Sequence, residues 1–182
     1  MYYFIVNPNA GSRKGMHCWE EIRTYLLKEG IDFRELLTKG EGDAMRFAER
    51  ITGKGRPDVI VAVGGDGTLH ETVSGMKKGT EAKLAFIPAG SGNDFARGMG
   101  SSKDPKERIR SILADEDGAG INVGNAFASG ASGCFLVSSG IGYDARVCHM
   151  VNHAKAKQMM NRLRMGKQTY LGIGLRDDAP GP

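Results

Sequence analysis

Asp66, Asp94 and Arg97 stand inside two glycine-rich strings whose composition points to phosphate chemistry. The first string is Gly64-Gly65-Asp66-Gly67-Thr68. Its glycines can take positive φ or let a foreign group approach the main chain closely, so that their N–H groups form a concave nest for phosphate oxygens. A carboxylate among phosphate-binding amides makes sense when a divalent cation or a reacting hydroxyl is also present, which singles out Asp66. The second string, Pro88-Ala89-Gly90-Ser91-Gly92-Asn93-Asp94-Phe95-Ala96-Arg97, adds a Ser91 hydroxyl and an acid three residues before a base. On a helix, Asp94 and Arg97 at that spacing can pair, which fixes the carboxylate and lends positive charge to the site. A third stretch, Asn7-Pro8-Asn9-Ala10-Gly11-Ser12-Arg13-Lys14-Gly15, combines small residues with two cations. It lacks the spacing of a P-loop, and no properly placed GxGxxG occurs. Each string also has a plainer reading, as a tight strand-to-helix turn or a solvated ion pair.

The surrounding pattern positions these strings. Tyr2 to Val6 reads as a strand, and Trp19, Ile22 and Leu26 as the buried stripe of a helix that stops near Gly30. Ile31 to Leu37 reads as a second strand, followed by the polar turn Thr38 to Asp43, with Asp43 a helix cap. Ala44, Phe47, Ala48 and Ile51 mark the next helix. Val59 to Val63 is an apolar run with no polar alternation, as expected of a strand covered on both faces. Thr68 reads as the N-cap of a helix carrying Leu69, Val73 and Met76, which places a helix N-terminus beside the glycine turn. Leu84 to Ile87 is a fourth strand, Asn93 or Asp94 caps a short helix, and Asp104-Pro105 opens a helix with Ile109, Ile112 and Leu113 on its apolar side. Alternation of this kind implies a parallel sheet, where ligands gather at the strand carboxyl ends. Asn7, Thr38 and Gly64 all fall there. After Gly118-Ala119-Gly120 the pattern changes: Ile121 to Ala128 and Cys134 to Ser139, joined by Ser129 to Gly133, read as an antiparallel hairpin. A first lobe of residues 1–120 and a second of 121–182 follow.

Composition narrows the setting. Among 182 residues the 27 glycines exceed the usual roughly 7% and cluster at turns without a collagen-like period. Cys18, Cys134 and Cys148 form neither a CxxC pair nor an even disulfide set, which fits a reducing cytoplasm. No segment reaches the roughly 18 apolar residues that span a bilayer, and Met1 leads directly into a strand without a basic leader. The expectation is a cytoplasmic protein, neither secreted nor integral to a membrane. Net charge is +4, yet Ala145 to Arg176 holds seven cations and no acid, leaving the remainder net negative. Such asymmetry suits an anionic membrane surface, or is a solvated helical face. A single aromatic residue, Tyr170, stands among the cations, short of the interleaved rings of a single-strand nucleic-acid platform.

With Asn7-Pro8, Ala10-Gly11, Gly64 to Thr68 followed by Glu71, Pro88 to Arg97, and Gly140 to Ala145 in this order, the chain resembles the bacterial soluble diacylglycerol kinase family of lipid kinases. NAD kinases share the Gly-Gly-Asp-Gly-Thr string, but the Asn93 to Arg97 continuation favours the lipid kinase side. The resemblance spans Phe4 to about Arg176. It implies an α/β parallel-sheet nucleotide-binding lobe of the NAD kinase/diacylglycerol kinase-like fold, followed by the start of an antiparallel, β-rich second lobe. It also implies MgATP-dependent phosphorylation of a lipid alcohol, diacylglycerol or a relative, by a peripheral visitor to the membrane. Carried over by motif, the nucleotide contacts are Asn7, Pro8, Gly11, Ser12, Thr38, Gly64, Gly65, Asp66, Gly67, Thr68, Leu69, His70 and Ser91. Asp66, Asp94 and Arg97 form the catalytic cluster, with Asp66 and Asp94 meeting Mg2+ through water.

Two departures bear on activity. Asn122 stands where family members often carry an aspartate. The family's second lobe also continues well past Pro182 and supplies an acidic residue thought to be the general base, so a noncatalytic nucleotide-binding fragment is the alternative function and NAD kinase a further one. An incomplete lobe leaves apolar surface uncovered, which makes a homo-oligomer an expected partner state.

Overall fold

Val59-Ile60-Val61-Ala62-Val63 is the strand the rest of the sheet is laid against. In the computed structural model, which describes residues 1–114, 118–128, 130–140, 142 and 145–146, four strands run parallel. They are β1 (Tyr2–Val6), β2 (Phe33–Leu37), β3 (Val59–Gly64) and β4 (Lys83–Pro88), in the order β2-β1-β3-β4. Five helices follow their strands or loops: α1 (Ala10–Lys28), α2 (Asp43–Thr52), α3 (Asp66–Gly75), α4 (Asp94–Gly98) and α5 (Pro105–Ala114). Register sets the level of the strand ends: Val6 lies opposite Leu37 and Val63, and Val63 opposite Ile87.

Because strand side chains alternate, each strand feeds both faces of the sheet. Phe4, Val6, Val61, Val63 and Ile87 pack with Cys18, Trp19, Ile22 and Leu26 of α1 and Ile109 of α5. Tyr3, Ile5 and Ile60 face Ala44, Ala48 and Ile51 of α2 on the other side. Ala62 and Phe86 meet Leu69 of α3 and Ala96 of α4. Trp19 is a core residue, 1% exposed, with its ring 5.0 Å from Phe4 and 5.7 Å from Phe33. Its indole N–H donates to Glu35 Oε2 at 2.9 Å, tying α1 to the edge strand β2. Burial pushes the neighbouring Cys18 thiol up to about 12, with Glu21 adding to the effect. At the opposite edge, Arg108 Nε donates to the Phe86 carbonyl at 3.1 Å, across the outer side of β4.

Several boundaries differ from the sequence pattern, each for a local reason. The second strand starts at Phe33, not Ile31, because Ile31 N–H closes α1 on the Leu26 carbonyl at 3.0 Å past a left-handed Gly30. The hairpin strands are β5 (Gly124–Ala128) and β6 (Ala131–Phe135), with Ala128 opposite Ala131. The connection is therefore only Ser129-Gly130, and the small residues after it belong to the strand. Two compact units divide the chain, Met1–Val137 and Ser138–Pro182. In the second, Arg146 N–H donates to Gly142 O at 3.0 Å. Tyr143, Asp144 and the basic stretch beyond Arg146, from Lys155 to Arg176, lie outside the described residues. Among the described residues no helix is long and apolar enough to cross a membrane.

Truncating Trp19 removes the largest core side chain and a hydrogen bond together. Trp19→Ala should lower stability by about 3–5 kcal/mol, read as a shifted midpoint in urea unfolding followed by circular dichroism.

Candidate functional site

The parallel register brings the turns after β1, β2, β3 and β4 to one edge, and short polar and backbone contacts lock them together there. Asn7 opens the β1 turn. Its carbonyl accepts from Ala10 N–H, its Oδ1 accepts from Asn9 N–H at 3.1 Å, and its Nδ2 donates to Thr68 Oγ1 at 3.2 Å. Thr68 is buried inside α3 and is not its cap: the helix starts two residues earlier, after Gly65, and no side chain caps it. The hydroxyl that would have capped a helix starting at Thr68 is instead the acceptor that joins the β1 and β3 turns.

The β3 and β4 turns meet through Gly65 and Gly90. A Cβ on Gly90 would stand 2.5 Å from Gly65 Cα, so neither position admits a side chain without moving the main chain. The Gly64 carbonyl accepts from Ala89 N–H at 2.6 Å and Gly90 N–H at 3.1 Å. Neither Gly64, Gly65 nor Gly67 lies at positive φ; close approach by the chain's own backbone is the reason for glycine at 65. Positive φ falls near the start of α1, at Gly11 (55°), Ser12 (60°) and Arg13 (76°), which interrupts the helix there and makes these residues part of the β1 turn. Left-handed conformations are costly for the last two, and strain of this kind concentrates at ligand sites.

Asp66 spans the β3 and β4 turns. Its Oδ2 accepts from Asp94 N–H and its Oδ1 from Phe95 N–H, both at 3.1 Å, so Asp66 caps α4 across 28 and 29 positions of sequence. Neither expected local cap is used. Asn93, at φ 53°, exchanges hydrogen bonds with the main chain of Gly90, and Asp94 pairs with Arg97 on the exposed side of α4.

A cleft of about 300 Å³ opens between the β1, β2 and β3 turns, lined by Asn7, Asn9, Thr38, Lys39, Gly40, Glu41, Ala44, Gly67, Thr68 and Glu71. Asn7, Thr38, Gly67 and Thr68 were expected at the site; Asn9, Lys39, Gly40, Glu41, Ala44 and Glu71 were not. Glu71 alone had a signal, its one-turn spacing from Gly67 and Thr68 on α3. Pro8, Gly11 and Ser12 lie in the β1 turn and Ser91 in the exposed β4 turn, and Gly11 abuts the Ala89 carbonyl. Leu69 is in the core, and His70 turns away from the cleft, its Nε2 2.9 Å from the Cys134 carbonyl of β6. It lines a separate, largely apolar cavity of about 1400 Å³ with Val73, Phe86, Phe95 and Phe127. Asn122 is exposed, ahead of β5.

The β2 turn is held by Asp43. It is the first residue of α2, after Gly42, and its carboxylate accepts from Lys39 N–H at 2.7 Å and Gly40 N–H at 2.9 Å. Those N–H groups, Lys39 foremost, hold its carboxyl below the usual range, with Arg46 adding to the effect. No group of three His, Cys, Asp or Glu side chains converges on a metal position among the described residues.

A parallel α/β sheet with its turns locked at the carboxyl edge defines the general class, and comparison with known proteins supplies the family. The diacylglycerol kinase catalytic domain profile matches residues 1–126, more than half of the chain, so the chain belongs to the diacylglycerol kinase catalytic domain family. It is 38% identical over 104 residues, 56% of this chain and 34% of the relative, to a Bacillus subtilis (strain 168) protein named "Putative lipid kinase YtlR". It is 35% identical over 112 residues, 61% of this chain and 34% of the relative, to the diacylglycerol kinase of Staphylococcus haemolyticus (strain JCSC1435). A crystal structure of a diacylglycerol kinase from Bacillus anthracis str. Sterne superposes with a TM-score of 0.55 at 32% identity, covering 63% of this chain and 39% of that one. The chain spans about a third of the length of these curated relatives.

Gly90→Ala should part the β3 and β4 turns and destabilise the fold by about 1–3 kcal/mol, measured by thermal unfolding. Asp43 gives a pH signature. A depressed folded pKa contributes stability above the ordinary carboxylate value near 3.9, lost as pH falls through the lower folded value. Protection of the Lys39 and Gly40 amides against exchange should fall over that acid range in the wild type, and be absent at neutral pH in Asp43→Asn.

Proposed function

We propose that this chain is the nucleotide-binding part of an ATP-dependent lipid kinase that transfers the γ-phosphoryl group to a hydroxyl of diacylglycerol or a related lipid. The observation that carries this reading is the convergence of Asn7, Thr38, Gly67 and Thr68 on one cleft at the sheet's carboxyl edge, in a member of this family. ATP enters with its nucleoside toward the cleft and its phosphates toward the Gly11 to Lys14 turn, where Arg13 and Lys14 supply positive charge. Pro8, Gly11, Ser12, Gly64, Gly65 and Ser91 contribute main chain or hydroxyl contacts along that path. Phosphoryl transfer depends on positioning and charge neutralisation more than on covalent chemistry by the protein, which is the task of the Asp66, Asp94 and Arg97 cluster.

The residues present do not form an all-protein magnesium cage: both Asp66 oxygens accept N–H groups and Asp94 is paired. They fit a hydrated ion held mainly by nucleotide phosphates, the usual habit of Mg2+. Asp66 and Asp94 would hold it through water, each carboxylate oxygen having further acceptor capacity, and the ion would neutralise charge developing on the phosphoryl oxygens.

Residues 1–120 are proposed as the nucleotide lobe and 121–182 as the beginning of the lipid-facing lobe. The cations from Arg146 to Arg176 would bring it reversibly to anionic membrane at the cytoplasmic surface, at up to about 1 kcal/mol per charge. The second reading is a nucleotide-binding piece without turnover.

Calorimetry with ADP and Mg2+ should give binding in the micromolar to millimolar range; absence of heat with folded protein at millimolar nucleotide rejects the nucleotide reading. Labelled ATP with diacylglycerol vesicles then separates kinase from noncatalytic piece, and replacing lipid by NAD tests the NAD kinase alternative. Weak, reversible cosedimentation with anionic vesicles should be seen at low ionic strength and be reduced at 0.5 M salt. Equal binding to neutral and anionic vesicles would remove the membrane claim.

A further inference from the structure

The geometry points to Asp66 as a positioning residue: its carboxylate builds the first turn of α4 and thereby sets where Arg97 stands. α4 has five residues, Asp94–Gly98, too short to be stable by itself because helix nucleation is unfavourable. Its leading N–H groups need acceptors from outside the helix. No neighbour in sequence supplies them. Asn93 spends its side chain on Gly90, accepting from its N–H at 2.9 Å and donating to its carbonyl at 3.0 Å, and the Asp94 carboxylate is paired with Arg97. Asp66 accepts from both Asp94 N–H and Phe95 N–H, one oxygen to each. It is itself the first residue of α3, whose start is fixed by Leu69 N–H donating to the Gly65 carbonyl at 3.1 Å.

One carboxylate thus joins the first turns of α3 and α4, so displacement of the β3 turn is passed to α4. Arg97 lies one turn along α4, and its guanidinium follows the helix. Asp66→Asn opposes this arrangement directly, because the new amide nitrogen is a donor facing a main-chain donor. Arg97 meeting a phosphate rests on the proposed function, whereas Asp66 holding α4 does not.

The test uses the full chain and two readouts. In ligand-free wild type, the Asp94 and Phe95 amides should be protected against exchange and show scalar coupling across their hydrogen bonds to the Asp66 carboxylate carbon. In Asp66→Asn their protection against exchange should fall to the unprotected level while Val61 and Val63 keep theirs. Affinity for ADP in the absence of Mg2+ should fall about tenfold in Arg97→Gln, the scale of a charge-assisted hydrogen bond, and by a similar factor in Asp66→Asn. The double variant should lose no more than the larger single loss, as for residues acting through one element. The proposal is overturned by Asp94 and Phe95 amides that keep their protection in Asp66→Asn, or by losses that multiply in the double variant. If Asp66→Asn does not fold, the wild-type couplings decide, and their absence overturns the proposal. If wild type binds no ADP, the nucleotide reading fails while the amide readouts still judge Asp66.

Discussion

Parallel pairing of β3 with β1 on one side and β4 on the other is the constraint on which the site depends. That register sets Val6, Val63 and Ile87 level, so the chain leaves three adjacent strands at the same height. A slip of one residue would turn every core side chain of the shifted strand to the opposite face. Such a slip would cost Phe4 and Val61 their contact with α1, and Tyr3 and Ile60 theirs with α2. The apolar faces therefore fix, indirectly but tightly, the height at which Asn7, Gly64 and Ala89 emerge.

Above the sheet, the chain is held by short reaches rather than by bulk. Asn7 to Thr68 joins the β1 and β3 turns, Gly11 to Ala89 the β1 and β4 turns, and Gly65 to Gly90 with Asp66 to α4 the β3 and β4 turns. They leave little room for one turn to move without its neighbours. Such cross-linking is what a site needs to present N–H groups in fixed directions before a ligand arrives. The same economy explains why exposed ion pairs such as Arg97 with Asp94 contribute orientation more than stability.

The alternation of strands and helices was legible because each helix carries an apolar stripe and β3 has no polar residue to misplace. The glycine strings were legible as sites because they follow strands. Their inner workings were not. Thr68 looks like a cap by residue type, yet a longer-range partner, Asn7, claims its hydroxyl from below. Asp43 and Asn93 show the same substitution of a turn contact for a cap. His70 follows the glycine turn in sequence, but 3.6 residues per turn carry it round α3 to the hairpin. Asn9, Lys39 and Glu41 belong to the cleft because two turns fold toward each other, which a single segment's pattern does not encode. Hairpin length was misread because Ala131, Ser132 and Gly133 have loop composition and strand pairing.

The guanidinium of Arg108 laid across the Phe86 carbonyl bears on how this sheet meets other chains. A strand added to β4 would need that acceptor for its own ladder, and would have to displace a cation from α5 to reach it. Among the described residues the outer margin of β4 is thus obstructed at its middle by a side chain rather than by a further strand. An edge obstructed this way resists growth by accretion of further copies on that side.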